Sequence, residues 1–350
     1  MRIAMLKLAL LLMWNSWSTF WNLLLLSKNI VYQSLLGFRR TGATPRDVEN
    51  VEQRGDTREQ PSNDTNISRE SFHVTIEERR LTGGQSDNAK LLKIGIFAAV
   101  YLLDNAVVRK VPRGNACEDA LPIIREAMVY SIIGKHPRIA ECLSLGRTDF
   151  VDTRYYSNGD LAAFVSNRAN NLDRDLRRKW FRQIIEAVNL IHEHDIIHSD
   201  LALRQFFLDD NLDARLGDFN SAQCPGHSAL GYEKASHCLP RDYEAPNSVA
   251  SDLFALGSTL YELSAGKAPY SELYWTDPQN HAHSSDHTVI RARIQHEQQV
   301  DREIENLYRN QKFPDVNGLW GENIILGCWK GTITTSGEAV NLCLELENTS

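Results

Sequence analysis

The chain has 350 residues, of which 42% are hydrophobic and 24% charged, and its formal net charge at pH 7 is −7. The apolar share is large enough for a folded core, which excludes a wholly disordered chain, and the length predicts one domain with an appendage or two domains. The acidic balance offers no positive field for a phosphate backbone, which argues against a dedicated nucleic-acid binder. The six cysteines include no Cys-x-x-Cys pair, so we expect no zinc site and a reduced, cytoplasmic compartment.

Residues 1–40 form an apolar leader, and residues 8–26 are its most hydrophobic part. This stretch approaches the length of a bilayer span, but Asn15, Ser18 and Asn22 would share one face if it were helical. Three interpretations stay open: a membrane anchor, a signal peptide, and an inert leader from a mistaken gene start. The first predicts that the protein is tethered to a membrane through residues 8–26.

Residues 41–90 are rich in charged and amide side chains and show neither helical nor strand periodicity. We therefore predict a solvated, disordered linker in this range. Two glycosylation triplets begin at Asn63 and Asn66, and we interpret both as chance matches.

The pattern changes to that of a folded domain at residue 91. Alternating apolar residues predict strands at Leu91–Phe97, Ala99–Leu103 and Ala106–Val111. The pair Asp104-Asn105 predicts a turn between the last two strands. A small sheet is therefore expected to open the domain.

Helical spacing of apolar residues follows the predicted strands. It predicts a helix over Leu121–Ile133 and a longer helix whose buried face carries Leu176, Trp180, Ile184, Val188 and Ile191. No fixed-period repeat is present in the sequence, so a solenoid is not expected.

Two aspartates stand in the most informative part of the sequence. Residues 196–201 have the sequence Ile-Ile-His-Ser-Asp-Leu, and Asp218-Phe219 follows with its aspartate 18 positions after Asp200. The pattern resembles the protein kinase family, whose His-Arg-Asp-Leu loop precedes an Asp-Phe-Gly motif. The resemblance implies phosphoryl transfer to a hydroxyl, which needs one carboxylate near the attacking oxygen and another that holds the metal on the nucleotide phosphates. The loop from His198 to Gln205 is similar to that of a divergent group of fungal kinase-like proteins.

Other segments extend the resemblance over residues 91–350. Lys110 ends a strand as the family's phosphate-binding lysine does, and Glu126 precedes the pair His136-Pro137 as the family's ion-pairing glutamate does. A Lys110–Glu126 ion pair is therefore expected. The resemblance also covers a hinge exit, the end of the activation segment, a buried helical aspartate and a late Cys-Trp pair: Tyr156–Leu161, Leu239–Pro246, Asp252 and Cys328-Trp329.

The resemblance implies a two-lobed α+β fold. Residues 91–156 would form a small lobe with an antiparallel sheet and one helix, and residues 157–350 a larger, mainly helical lobe. The resemblance implies ATP and Mg²⁺ as cofactors. It also assigns the site: the catalytic residues are Asp200, Lys110, Glu126 and Arg204; the nucleotide contacts are Lys110, Gly95, Val100, Val108 and Phe207; the metal ligands are Asp218 and Gln205.

The sequence departs from the family pattern in its phosphate-covering loop and at four single positions. Gly95 is the one glycine kept in the phosphate-covering loop, which predicts poorer backbone approach to the phosphates. Gln205 replaces the metal-binding Asn, which predicts weaker Mg²⁺ binding, and Asn220 replaces the Gly of the Asp-Phe-Gly motif, a mild change because Asn tolerates left-handed backbone. Ser199 replaces the catalytic-loop Arg, which argues against control by a phosphorylated activation loop. Asn247 replaces a Glu and is expected to remove an ion pair of the large lobe.

Two functions from different classes follow from these residues. The first is a protein kinase that transfers the γ-phosphate of ATP to a protein hydroxyl, with Ser/Thr expected over Tyr by default. The alternative is a pseudokinase that acts as a binding or scaffold module, and the lost glycines, Gln205 and Asn220 motivate it. The protein substrate and the oligomeric state are not predicted. A polar stretch is interpreted as a solvated insertion rather than a metal site, although it contains His281, His283, Asp286 and His287.

Overall fold

The computed structural model of the protein describes residues 89–349, apart from residues 96, 115, 169–171, 243 and 275–286. The possible anchor at residues 8–26, nearly all of the predicted linker and the polar insertion around His281 and His283 lie outside the described residues, so they stay predictions. Within the described ranges, no helix is both long enough and apolar enough to cross a membrane.

A four-stranded antiparallel sheet opens the domain, with its strands in sequence order across the sheet. The strands are β1 (Lys90–Ile94), β2 (Ala98–Leu103), β3 (Val107–Pro112) and β4 (Val151–Arg154). At the predicted turn between β2 and β3, Asp104 and Asn105 have φ angles of 50° and 54°. Asp and Asn tolerate this left-handed backbone better than most residues, so the turn prediction is confirmed together with its physical reason.

The sheet differs from the sequence prediction at β1 and β4. β1 ends at Ile94 rather than Phe97, because the Gly95 amide donates to the Ala98 carbonyl (2.8 Å) and closes a tight turn into β2. β1 also begins at Lys90, one residue inside the predicted linker. The sequence pattern did not predict β4, since four residues are too few for an alternating pattern to stand out.

Helix α1 (Cys117–Ile133) packs against β3 and β4 and completes the small lobe. It begins four residues before the predicted start at Leu121, because its first turn carries polar residues that hide the apolar period. In that turn Asp119 accepts a hydrogen bond from the Ala116 amide (3.2 Å), which satisfies an N-terminal donor. Gly134, with a φ of 69°, ends the helix.

The larger lobe is mainly helical, with a two-stranded hairpin of β5 (Phe206–Leu208) and β6 (Ala214–Leu216). Its helices are α2 (Leu161–Asn167), α3 (Arg174–Glu193), α4 (Val249–Ala265), α5 (His287–Arg309), α6 (Glu322–Lys330) and α7 (Ser336–Thr349). The predicted apolar face of α3 lies in the core: Trp180, Ile184, Val188 and Ile191 are fully buried. The predicted two-lobed α+β fold is thus confirmed.

The buried carboxylate of Asp252 links α4 to the loop that precedes Asp200. It accepts hydrogen bonds from the backbone amides of His198 (2.7 Å) and Ser199 (3.1 Å), and it lies 3.1 Å from His192 Nε2. Ser199 has a φ of 66°, a left-handed conformation that these bonds hold in place. The Asp252 side chain therefore holds the backbone of this loop, as the resemblance implies.

We predict that Asp252→Ala lowers the free energy of unfolding by about 3 kcal/mol, because two buried amides and an imidazole lose their acceptor. Chemical denaturation of the full chain, followed by tryptophan fluorescence, measures the loss. Asp210→Ala is the matched control: Asp210 pairs with Arg154 at 2.5 Å, but its side chain is 71% exposed. Removal of such a surface pair costs less than about 1 kcal/mol. Equal losses in the two variants would contradict the role of Asp252.

Candidate active site

A cleft of about 380 Å³ lies between the four-stranded sheet and the loop that carries Asp200. The residues predicted to contact the nucleotide all line it: Gly95, Val100, Val108, Lys110 and Phe207. The Phe207 ring is stacked on Tyr156, with 6.0 Å between the centroids. Charged side chains such as Lys110 and Asp218 line the same cleft, which therefore suits a ligand that has a flat apolar part and a charged part.

The charged end of the cleft is organised around the Lys110 ammonium. Its Nζ donates to both carboxylate oxygens of Glu126 (2.9 and 3.0 Å) and to Asp218 Oδ1 (2.6 Å). The predicted Lys110–Glu126 ion pair is therefore present. Burial lowers the pKa of Lys110, but the carboxylates of Asp218 and Glu126 outweigh this effect, so the pKa of Lys110 is raised and the side chain stays charged.

In the segment that matches the Asp-Phe-Gly motif, the left-handed residue is Asp218, whereas the sequence analysis expected it to be Asn220 at the third position. The φ of Asp218 is 63°, whereas Asn220 lies in a short 3₁₀ helix (Phe219–Ser221) and does not have a positive φ. The sequence analysis expected a mild change at Asn220 because Asn tolerates left-handed backbone, and this reason was wrong. The Asn220 side chain instead donates a hydrogen bond to Asp218 Oδ1 (2.9 Å). Burial is the largest single effect and raises the pKa of Asp218, but the charge and hydrogen bond of Lys110, with smaller effects of Lys93 and His198, together lower it below its usual range.

Asp200 lies on the opposite wall of the cleft and is held by two neighbours. Arg204 Nη2 donates to Asp200 Oδ1 (2.5 Å), and Gln205 Nε2 donates to Asp200 Oδ2 (2.8 Å) and to the Asp200 carbonyl (3.2 Å). Arg204, predicted as a catalytic residue, is thus committed to the Asp200 carboxylate in this structure. Both contacts fix the direction in which that carboxylate faces the cleft.

The predicted metal ligands both line the cleft. Lys110 and Asn220 occupy Oδ1 of Asp218, so Oδ2 is the atom that can meet a cation. The amide nitrogen of Gln205 faces Asp200, which leaves its Oε1 for the same purpose. One carboxylate, one amide oxygen and phosphate oxygens form a suitable donor set for Mg²⁺. Among the described residues, no cluster of three His, Cys, Asp or Glu side chains forms a separate metal site.

Sequence reasoning missed Arg125, which connects α1 to the segment after Asp218. The Arg125 side chain is buried, and its Nη1 donates to the Ala222 carbonyl and to the Ser228 carbonyl (2.6 Å). The available signal was a charged residue next to Glu126 on the buried side of a predicted helix, where a charge needs partners. The contact holds the activation segment against the helix that positions Lys110.

The end of the activation segment has an ion pair that does not involve position 247. Asn247 replaces a glutamate, but Arg241 Nη2 pairs with Glu233 Oε2 (3.2 Å) and also donates to Asn247 Oδ1. Asn247 Nδ2 in turn donates to the Gly231 carbonyl (3.0 Å). The expected loss of an ion pair is therefore offset by a carboxylate from elsewhere in the same segment.

The fold and this cleft define a class of protein: a two-lobed α+β domain whose cleft contains a lysine shared between two acidic side chains. A family model described as "Protein kinase domain" matches residues 103–330, which is more than half of the chain. The chain belongs to the protein kinase family.

Curated relatives agree with this assignment. The chain is 27% identical over 219 residues to CBL-interacting serine/threonine-protein kinase 5 of Arabidopsis thaliana, covering 56% of this chain and 48% of the relative. It is 24% identical over 272 residues to the probable serine/threonine-protein kinase KIN1 homolog of Enterocytozoon bieneusi (strain H348), covering 69% and 44%. It is 28% identical over 212 residues to serine/threonine-protein kinase SIK1 of Rattus norvegicus, covering 55% and 27%. The chain thus spans less than half the length of these relatives.

We predict that stability depends on pH through Glu233. Burial raises its pKa from 4.5 to about 7, even with Arg241 beside it. A raised pKa means that the contribution of Glu233 is fully present below pH 4.5 and is lost as the pH rises through 7. The wild type should therefore lose about 3 kcal/mol relative to Glu233→Gln between pH 4.5 and pH 8.

Urea unfolding of the wild type and of Glu233→Gln at both pH values measures this difference. Glu272→Gln is the control, because the Glu272 side chain is 57% exposed in a surface pair with Lys267. If the difference in free energy of unfolding between the wild type and Glu233→Gln is the same at both pH values, the prediction is contradicted.

Proposed function

We propose that the protein is a kinase that uses ATP and Mg²⁺ to phosphorylate serine or threonine hydroxyls of a protein substrate. The observation that carries the proposal is the Lys110 ammonium bonded to both Glu126 and Asp218, in a cleft whose other wall holds Asp200. A fixed cation, a metal-binding carboxylate and a proton acceptor around one volume are the groups that phosphoryl transfer requires.

The transfer is derived from these groups as follows. The substrate hydroxyl oxygen attacks the γ-phosphorus, the bond from that phosphorus to the ADP oxygen breaks, and the hydroxyl proton passes to Asp200. Arg204 and Gln205 keep the Asp200 carboxylate aimed at the hydroxyl. Lys110 holds the nucleotide phosphates through its charge. Asp218 and Gln205 would hold Mg²⁺, which would neutralise the phosphate charge when bound.

The choice of serine and threonine as acceptors is supported by the relatives, whose names describe serine/threonine kinases. Arg204 stands four positions after Asp200, but it is bonded to the Asp200 carboxylate. Its position therefore gives no separate indication of a tyrosine acceptor.

We predict that the purified full chain transfers labelled phosphate from Mg-ATP to generic protein substrates. Lys110→Met, Asp200→Asn and Asp218→Asn should each lower the rate at least about 100-fold, because each removes a charge from the reacting centre. Asp210→Asn is the control, since Asp210 is a highly exposed carboxylate outside the cleft.

Two outcomes would contradict the enzyme proposal and differ in what they imply. If the wild type is no faster than the three variants but Mg-ATP raises its melting temperature, the domain is a nucleotide-binding pseudokinase. If Mg-ATP at millimolar concentration shifts the melting temperature of neither the wild type nor the variants, nucleotide binding itself is wrong.

We predict phosphoserine and phosphothreonine as the products. Peptide sets that differ only in a central Ser, Thr or Tyr, incubated with the full chain, should be labelled at Ser and Thr. Asp200→Asn serves as the background measurement for each set. Labelling that is strongest on the tyrosine set would contradict the proposed acceptor.

A further inference from the structure

Lys93 on β1 shares the cleft face of the sheet with Lys110. In the β-sheet register Lys93 lies opposite Val100, and Val100 lies opposite Lys110. Residues directly opposite each other on neighbouring strands project from the same face of a sheet. Because Val100 and Lys110 line the cleft, Lys93 lines it as well, and the structure places it there.

An irregularity in β1 is what gives Lys93 this position. Leu91 pairs with Tyr101 and Lys93 with Val100, so the register shifts and Leu92 is the extra residue of a bulge. Bulges re-aim side chains, and here both Leu92 and Lys93 line the cleft although they are consecutive. Strict alternation would have placed only one of them on this face.

Lys93 differs from the other cations of the cleft in its partners. Lys110 is shared between two carboxylates, Arg204 pairs with Asp200, and Arg154 pairs with an exposed aspartate of the large lobe. Within the part of the chain that the structure describes, the Lys93 ammonium forms neither a hydrogen bond nor an ion pair. It is therefore the cleft-lining cation whose charge is not already committed to a carboxylate.

The turn between β1 and β2 suggests a role for the positive charge of Lys93. The turn keeps one glycine, and the Gly95 amide donates to the Ala98 carbonyl at 2.8 Å, so that amide is not directed at a ligand. Anion sites built from a glycine-rich turn depend on free amides that point to the phosphates. We propose that Lys93 contacts the phosphate chain of the bound nucleotide and supplies positive charge that the Gly95 amide does not supply. This inference rests on the proposed function, because it takes the ligand of the cleft to be ATP.

Electrostatics in the cleft agree with this placement. Burial raises the pKa of Asp218 most strongly, and Lys93 is one of the cations, after Lys110, that lower it. Lys93 and Lys110 stand two strands apart, about 10 Å between backbones. Two cations at this spacing on one face can flank a polyphosphate, and Asp218 lines the same cleft.

The test is nucleotide binding by the full chain, measured by calorimetry with ATP, ADP and adenosine in the presence of Mg²⁺. Lys93→Ala should raise the Kd for ATP about fivefold, the effect of losing an exposed charge contact, and should leave the Kd for adenosine unchanged. Lys93→Arg should restore ATP binding. Lys90→Ala is the matched control, because Lys90 is an exposed lysine on the same strand that does not line the cleft.

The outcomes separate this inference from the proposed function. Equal ATP binding by Lys93→Ala and Lys90→Ala would overturn the assignment, and so would equal weakening of ATP and adenosine, which indicates a structural effect on the strand. In both cases wild-type binding of ATP would still support the proposed function. A wild type that binds neither ATP nor adenosine would overturn both.

Discussion

The shared Lys110 ammonium is the interaction on which the active-site geometry depends. It joins β3, helix α1 and the segment that begins at Asp218, since Glu126 is fully buried and Asp218 is held at 2.6 Å. A buried carboxylate without a cation would be strongly destabilising, so these three elements are required to meet at one point. The cleft exists because the sheet and the large lobe are fixed on either side of that meeting point.

The activation segment is held by contacts that need no added phosphate. Arg125 donates to two of its backbone carbonyls, and Glu233 with Asn247 receives the Arg241 guanidinium at its far end. Ser199 stands where the family has an arginine, and it is buried with its amide bonded to Asp252. A phosphorylated loop would find no cation at position 199, while the existing contacts already place the segment against α1. The charges that order this segment are therefore internal to the chain.

The sequence predicted those residues whose chemistry depends on spacing along the chain. Lys110, Glu126 and Asp252 were placed by motif order, and α3 was placed by a long helical period that the core confirms. Features that depend on how an irregular segment folds were not predictable in this way. The pairing of Glu233 with Arg241 needs the folded segment, and the orientation of Lys93 needs the register shift at Leu92, which no local pattern encodes.

Gln205 shows why a departure from a family motif is a weak argument for lost activity. Its longer side chain places the amide nitrogen on Asp200 at 2.8 Å, so it holds the Asp200 carboxylate and also lines the cleft. Asn220 likewise donates to Asp218 in place of a glycine that has no side chain to donate. Each substitution adds a hydrogen bond to one of the two cleft carboxylates, Asp200 and Asp218. What matters for phosphoryl transfer is the position and charge of Asp200 and Asp218, and both substitutions act on those quantities directly.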